Sequence, residues 1–162
     1  MKKHLVPTAK RWALALTSLM LLGCAELEPV VITQSLSLVN GHTVLNSHEA
    51  LGSLVADGKS FVIAVTNMTC TCTLDFLPLY DDFLSEVQIV GYTIEYSFLQ
   101  YEEQKFDLSV EDANTPILAI FDTGLLKYQI EYIVGNASHN RVFTVYEELN
   151  AYLGARINAA TA

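Results

Sequence analysis

The chain has 162 residues, 9 basic against 18 acidic side chains, a net charge of −9 and 51% hydrophobic residues. That length holds one domain with its own core, and the acidic balance argues against nucleic acid and anionic lipid as partners. Three cysteines, Cys24, Cys70 and Cys72, are an odd number whose meaning depends on compartment.

The N-terminus addresses the compartment. Lys2, Lys3, Lys10 and Arg11 precede an apolar run from Trp12 to Gly23, the layout of a secretory signal: basic start, short apolar middle, small residue at the cut. The run falls short of the roughly 18–20 residues that cross a bilayer. Its end, Leu21-Leu22-Gly23-Cys24, resembles the lipobox of bacterial lipoproteins, which implies a lipid on the Cys24 sulfur and cleavage before it. Such cleavage removes 23 residues, four of them basic and none acidic, leaving 5 basic against 18 acidic side chains, a charge of −13. A multiply acylated cysteine anchors a soluble domain stably. Cys70 and Cys72 then remain, in a compartment where thiols can oxidise and stay oxidised.

Residues 1–23 therefore read as signal peptide, 24–45 as lipidated cysteine, tether and N-terminal strands, and 46–162 as the folded domain. Ala25–Gln34 reads as the tether, and Asn40-Gly41 as a turn between apolar-alternating flanks in Leu36–Leu45. Asn46 or Ser47 can cap a helix carrying Leu51, Leu54 and Val55 on one face and ending at Gly58. Ser60–Thr66, almost wholly apolar and β-branched, predicts a buried central strand. From Thr73 to Val87, Phe76, Leu77, Tyr80, Phe83, Leu84 and Val87 recur at helical spacing, with Pro78 inside the pattern.

Gln88–Phe98 predicts a second strand, followed by an acidic connection. Ile117–Phe121 and Leu125–Ile133 predict a hairpin around Asp122-Thr123-Gly124. Val142–Ile157 closes as a helix with Val145, Leu149, Tyr152 and Leu153 on its packed face. The order is β-α-β followed by β-β-α, a right-handed crossover and then an antiparallel hairpin with a packing helix. That gives an α/β fold with a central mixed sheet flanked by helices. Glu102, Glu103, Asp107, Glu111 and Asp112 read as a solvated face, Asp75, Asp81 and Asp82 as facing water, and His42 and His48 as surface residues.

Four features in order resemble the thioredoxin-like superfamily, over about Asn46 to Ile157. An apolar strand delivers Cys70 to a helix start; Pro78 lies eight residues into that helix; Thr115-Pro116 opens a later strand; and Ile117–Leu126 forms a strand–turn–strand with its glycine, with Gly135 closing the hairpin. The resemblance implies a thioredoxin-like fold, Cys70 as attacking thiol, and a cis Thr115-Pro116 beside it against which an extended client peptide pairs. The usual Cys-x-x-Cys is here Cys70-Thr71-Cys72-Thr73, with the second thiol one residue early, and Ala64 stands where many relatives carry a buried acid.

A helix N-terminus stabilises a thiolate through its unpaired N–H groups and dipole. Positions i and i+2 of a regular helix point roughly 200° apart, so a Cys70–Cys72 disulfide needs Cys70 at the cap, outside the helix. A one-residue loop constrains little of the unfolded chain, which makes the pair a poor structural staple.

Three readings stay open. The first is a lipid-anchored extracytoplasmic thiol–disulfide oxidoreductase acting on exported client proteins through Cys70 and Cys72, with Thr115 and Pro116 binding the client and no cofactor. The second is a non-catalytic thioredoxin-like adaptor. The third is a copper-binding envelope protein, since Met68, Cys70 and Cys72, with His139 from a later loop, are soft or borderline ligands that suit copper(I).

Overall fold

The computed structural model describes residues 27–110, 115–130, 143 and 145–161. Cys24, Glu111, Asp112, Ile133, Gly135 and His139 lie outside the described residues, as do the signal and lipidation segment. Among the described residues no helix is long and apolar enough to cross a membrane.

The central strand β3 (Phe61–Thr66) is buried at every position. It has a neighbour on each side and a helical layer on each face, so neither edge nor face meets water. Its pleat divides the core in two. Val62 and Ala64 pack with Phe76, Tyr80, Phe83 and Leu84 of α2 (Thr71–Val87) and with Leu149 and Leu153 of α4 (Tyr146–Gly154). Phe61, Ile63 and Val65 face the other way, onto Leu51 of α1 (His48–Ala56), Leu99 of the one-turn helix α3 (Tyr96–Leu99), and Phe106 of a 3-10 turn at Glu103–Phe106.

β2 (Thr43–Leu45), β4 (Gly91–Glu95), β5 (Ile117–Asp122) and β6 (Leu125–Ile130) complete the sheet in the order β2-β4-β3-β5-β6. β2 and β3 run parallel to β4, whereas β5 is antiparallel to β3 and to β6. The mixed sheet and the β3–α2–β4 crossover are as expected from the sequence. Ser47 caps α1, its side chain accepting the Ala50 N–H at 3.3 Å. Thr123 and Gly124, both at positive φ, turn the hairpin. A Cβ on Gly124 would stand 2.3 Å from the Val55 carbonyl oxygen, so the turn fits against the end of α1 only without a side chain.

Five expectations are corrected. The segment read as tether contains β1 (Val30–Thr33), which pairs in parallel with β7 (Ile157–Ala160). Ile157 belongs to β7, not to the final helix. Val145 caps α4 and is exposed, while Leu149 and Leu153 are buried. Only one flank of Asn40-Gly41 is a strand, and it pairs with β4 rather than folding back in a hairpin. The second predicted strand stops at Glu95, because β3 ends at its register partner Thr66 and β2 ends at Leu45, opposite Ile94. Beyond Glu95 no ladder continues on either side, and the backbone satisfies its own N–H and C=O groups as a helical turn.

Candidate functional site

The link from β3 to α2 is four residues, Asn67–Cys70, and local bonds shape most of it. The Asn67 side-chain oxygen accepts the Thr69 N–H at 2.9 Å and the Thr69 hydroxyl at 2.6 Å. The Cys70 N–H donates to the Asn67 carbonyl at 2.9 Å. Thr73, fully buried in the first turn of α2, accepts the Asn67 N–H on its hydroxyl at 3.2 Å and donates its own N–H to the Cys70 carbonyl at 3.1 Å.

These bonds place Cys70 at the N-cap of α2 with an extended backbone, φ −89° and ψ 127°. An N-cap side chain normally accepts an N–H from the second or third helical residue through oxygen. Here sulfur takes that place, accepting the Cys72 N–H at 3.3 Å. Both cysteines are half-buried thiols. The geometry that a Cys70–Cys72 disulfide requires on the Cys70 side, a cap residue outside the helix, is therefore present.

Thr115-Pro116 is a cis peptide bond, and Thr115 is buried. It precedes β5, whose first residue Ile117 pairs with Val65 next to the end of β3. Thr115 and Pro116 thus lie at the same end of the sheet as the loop that carries Cys70. Ala64 is buried between Thr93 and Leu118 in the ladder, so no acid stands at that position of β3.

Two features of this end were not read from the sequence. Glu95, the last residue of β4, accepts the Met68 N–H on both carboxylate oxygens, each at 3.3 Å, and the Thr66 hydroxyl at 3.5 Å. His42 and Asp81, expected to face water, instead bond to each other. Asp81 accepts from the His42 main-chain N–H at 2.9 Å and lies 2.6 Å from His42 Nδ1. Nothing local marked Glu95, inside the predicted strand Gln88–Phe98, as reaching the loop.

His42, Val44, Thr66, Met68, Leu77, Thr93 and Glu95 line a cavity of about 330 Å³ beside the loop. Met68 is half exposed at its mouth. Among the described residues no three His, Cys, Asp or Glu side chains cluster as metal ligands would. The copper reading uses Met68, Cys70, Cys72 and His139, the last outside the described residues.

Neither a known protein-family model nor any curated protein matches the sequence. Solved structures do. The chain is similar to the oxidised thioredoxin of Plasmodium falciparum, with a TM-score of 0.53 and 9% identity over 70% of this chain and 95% of that one. It is similar to thioredoxin f from spinach chloroplast, TM-score 0.52, 14% identity, over 75% and 97% of the two chains. It is also similar to a thioredoxin of Malassezia sympodialis, TM-score 0.51, 13% identity, over 75% and 95%. At such identities the likeness is one of fold, and the strand order, crossover and cis-proline agree with it. The chain is a thioredoxin-fold protein, with an atypical Cys-x-Cys pair at the start of α2.

Proposed function

We propose that this protein is a thiol–disulfide oxidoreductase, held outside the cytoplasm by lipid on Cys24 and acting on exported proteins through Cys70 and Cys72. The observation that carries the reading is the Cys70 sulfur at the N-cap of α2, where it accepts a backbone N–H. That bond holds the Cys70 sulfur at the start of the helix, the place of the attacking thiol in the thioredoxin-like resemblance. The lipobox-like Leu21–Cys24 supports the anchor, and the acidic charge fits a domain kept off an anionic membrane face.

In the reducing direction, deprotonated Cys70 attacks one sulfur of a client disulfide. That bond breaks as a Cys70–client disulfide forms, and the displaced client sulfur leaves as a thiolate and takes up a proton. Cys72 then gives up its proton and attacks the Cys70 sulfur, releasing the second client thiol and closing the Cys70–Cys72 bond. The client gains two electrons and the cysteine pair loses two; the reverse sequence oxidises a client dithiol. The ring closed by Cys70 and Cys72 is small, and a strained disulfide is readily reduced again, which suits transfer of oxidation to a client. Thr115 and Pro116 offer backbone to an extended client segment by strand addition.

The adaptor reading draws on one observation: a buried Thr73 fills the position where Cys-x-x-Cys proteins hold their second thiol. A single experiment separates the two. The oxidised full chain is mixed with a reduced, dithiol-bearing model protein and the client thiols lost are counted. Two thiols lost per chain with the wild type and none with Cys70→Ser are expected. Equal results from both would remove the redox reading in favour of the adaptor. One copper ion per purified chain, lost in both Cys70→Ser and Cys72→Ser, would instead favour the metal carrier.

A further inference from the structure

The link from β3 to α2 has four main-chain N–H groups. Three are held from within the link and the helix start: Asn67 N–H by the Thr73 hydroxyl, Thr69 N–H by the Asn67 side chain, and Cys70 N–H by the Asn67 carbonyl. The fourth, on Met68, is held from outside by Glu95, 27 residues further along the chain. Glu95 is itself fixed in the ladder opposite Thr66, and its carboxylate also takes the Thr66 hydroxyl. One side chain therefore spans the last residue of β3 and the loop leaving it. We propose that Glu95 is a positioning residue for Cys70: by holding the Met68 N–H it fixes the loop that sets the Cys70 sulfur at the N-cap of α2.

The inference rests on Cys70 being the reactive thiol of the proposed function. Its physical content is orientation. Met68 is half exposed, so without Glu95 its N–H can turn to water at little cost, and the loop then loses its tether to the end of β4. A bonded carboxylate has two oxygens to accept one N–H, and a glutamine keeps one of them. The conservative variant therefore retains the tether while losing the charge.

The test reads Cys70 directly and needs no client. The reduced full chain is reacted with a small aromatic disulfide, and the adduct at Cys70 is followed by peptide mass spectrometry. Hydrogen exchange at the Met68 amide is measured by NMR on the same proteins. Glu95→Ala is expected to slow adduct formation on the order of tenfold, as a misplaced reacting group does, and to speed exchange at Met68. Glu95→Gln is expected to stay within about twofold of the wild type in both measurements, the loss of one acceptor lone-pair set leaving a bond in place. Wild-type rates in Glu95→Ala would overturn the proposal, as would Glu95→Gln behaving like Glu95→Ala. Should Glu95→Ala not fold, the wild-type Met68 amide still decides: protection supports the tether, and exchange at the rate of unstructured chain overturns it. Failure of the oxidoreductase reading shows separately, as a wild type that reacts at Cys70 yet, once oxidised, transfers its disulfide to no protein dithiol.

Discussion

The Cys72 N–H points at the Cys70 sulfur, 3.3 Å away and two residues back along the chain. The two cysteines therefore differ in kind. Cys70 is an extended cap residue with its sulfur accepting a bond, while Cys72 lies inside the helix and supplies the donor. If Cys70 attacks and Cys72 resolves, Cys70→Ser abolishes exchange with a protein disulfide, whereas Cys72→Ser accumulates a mixed disulfide through Cys70. Non-reducing electrophoresis with peptide mapping checks this. A mixed disulfide through Cys72 in the Cys70→Ser protein, at the same yield, would reverse the assignment.

Thr73 has a structural role at the same turn. Its buried hydroxyl accepts the Asn67 N–H. Thr73→Val keeps shape but removes that acceptor from the part-buried Asn67 N–H, and should lower unfolding free energy by about 1 kcal/mol, the net worth of one such hydrogen bond. Thr73→Ser keeps the hydroxyl and should lose less. Urea denaturation with an unchanged slope measures both, and a Thr73→Val midpoint at or above that of Thr73→Ser would count against the bond.

Tyr80 ties α2 to the sheet. It is fully buried, with its hydroxyl 3.2 Å from the carbonyl oxygens of Val62 and Tyr92. Burial raises its pKa well above the usual 10.0. The native state therefore keeps the proton at pH values where the unfolded chain has lost it. The stability tied to that proton is complete below about pH 10 and falls as pH rises from there toward the folded pKa. At neutral pH Tyr80→Phe should cost about 1 kcal/mol for the lost hydrogen bond. Above pH 10 the gap to the wild type should close, because phenylalanine has no proton to lose. A constant gap between pH 8 and pH 11 in denaturant titrations would contradict this.

The proposed anchor at Cys24 should be separable from folding. Cys24→Ser should leave the protein in the soluble fraction, or unprocessed, while its circular dichroism matches the wild type. A substituted protein found in membranes at the mature mass would remove the lipid anchor from the proposal.

Short-range patterning made much of this chain legible before it folds. The apolar, β-branched run of β3, the helical spacing of Phe76, Tyr80, Phe83 and Leu84, the Ser47 cap and the Thr123-Gly124 turn each depend on a few neighbouring residues, and each stands where the pattern placed it. Cys70 at a helix start and Thr115-Pro116 before a strand were legible for the same reason. Contacts between distant segments were not. Val30–Thr33 looked like tether because a four-residue strand has no meaning until Ile157–Ala160 comes beside it. Gln88–Phe98 looked like one strand because its own pattern carries no stop; β4 ends at Glu95 because the strands beside it end there. Glu95 at the Met68 N–H, and Asp81 at His42, join residues 27 and 39 apart in the chain. Only the packed sheet and helix bring such pairs together, because a side chain's partner is set by which backbone segments the core forces into contact.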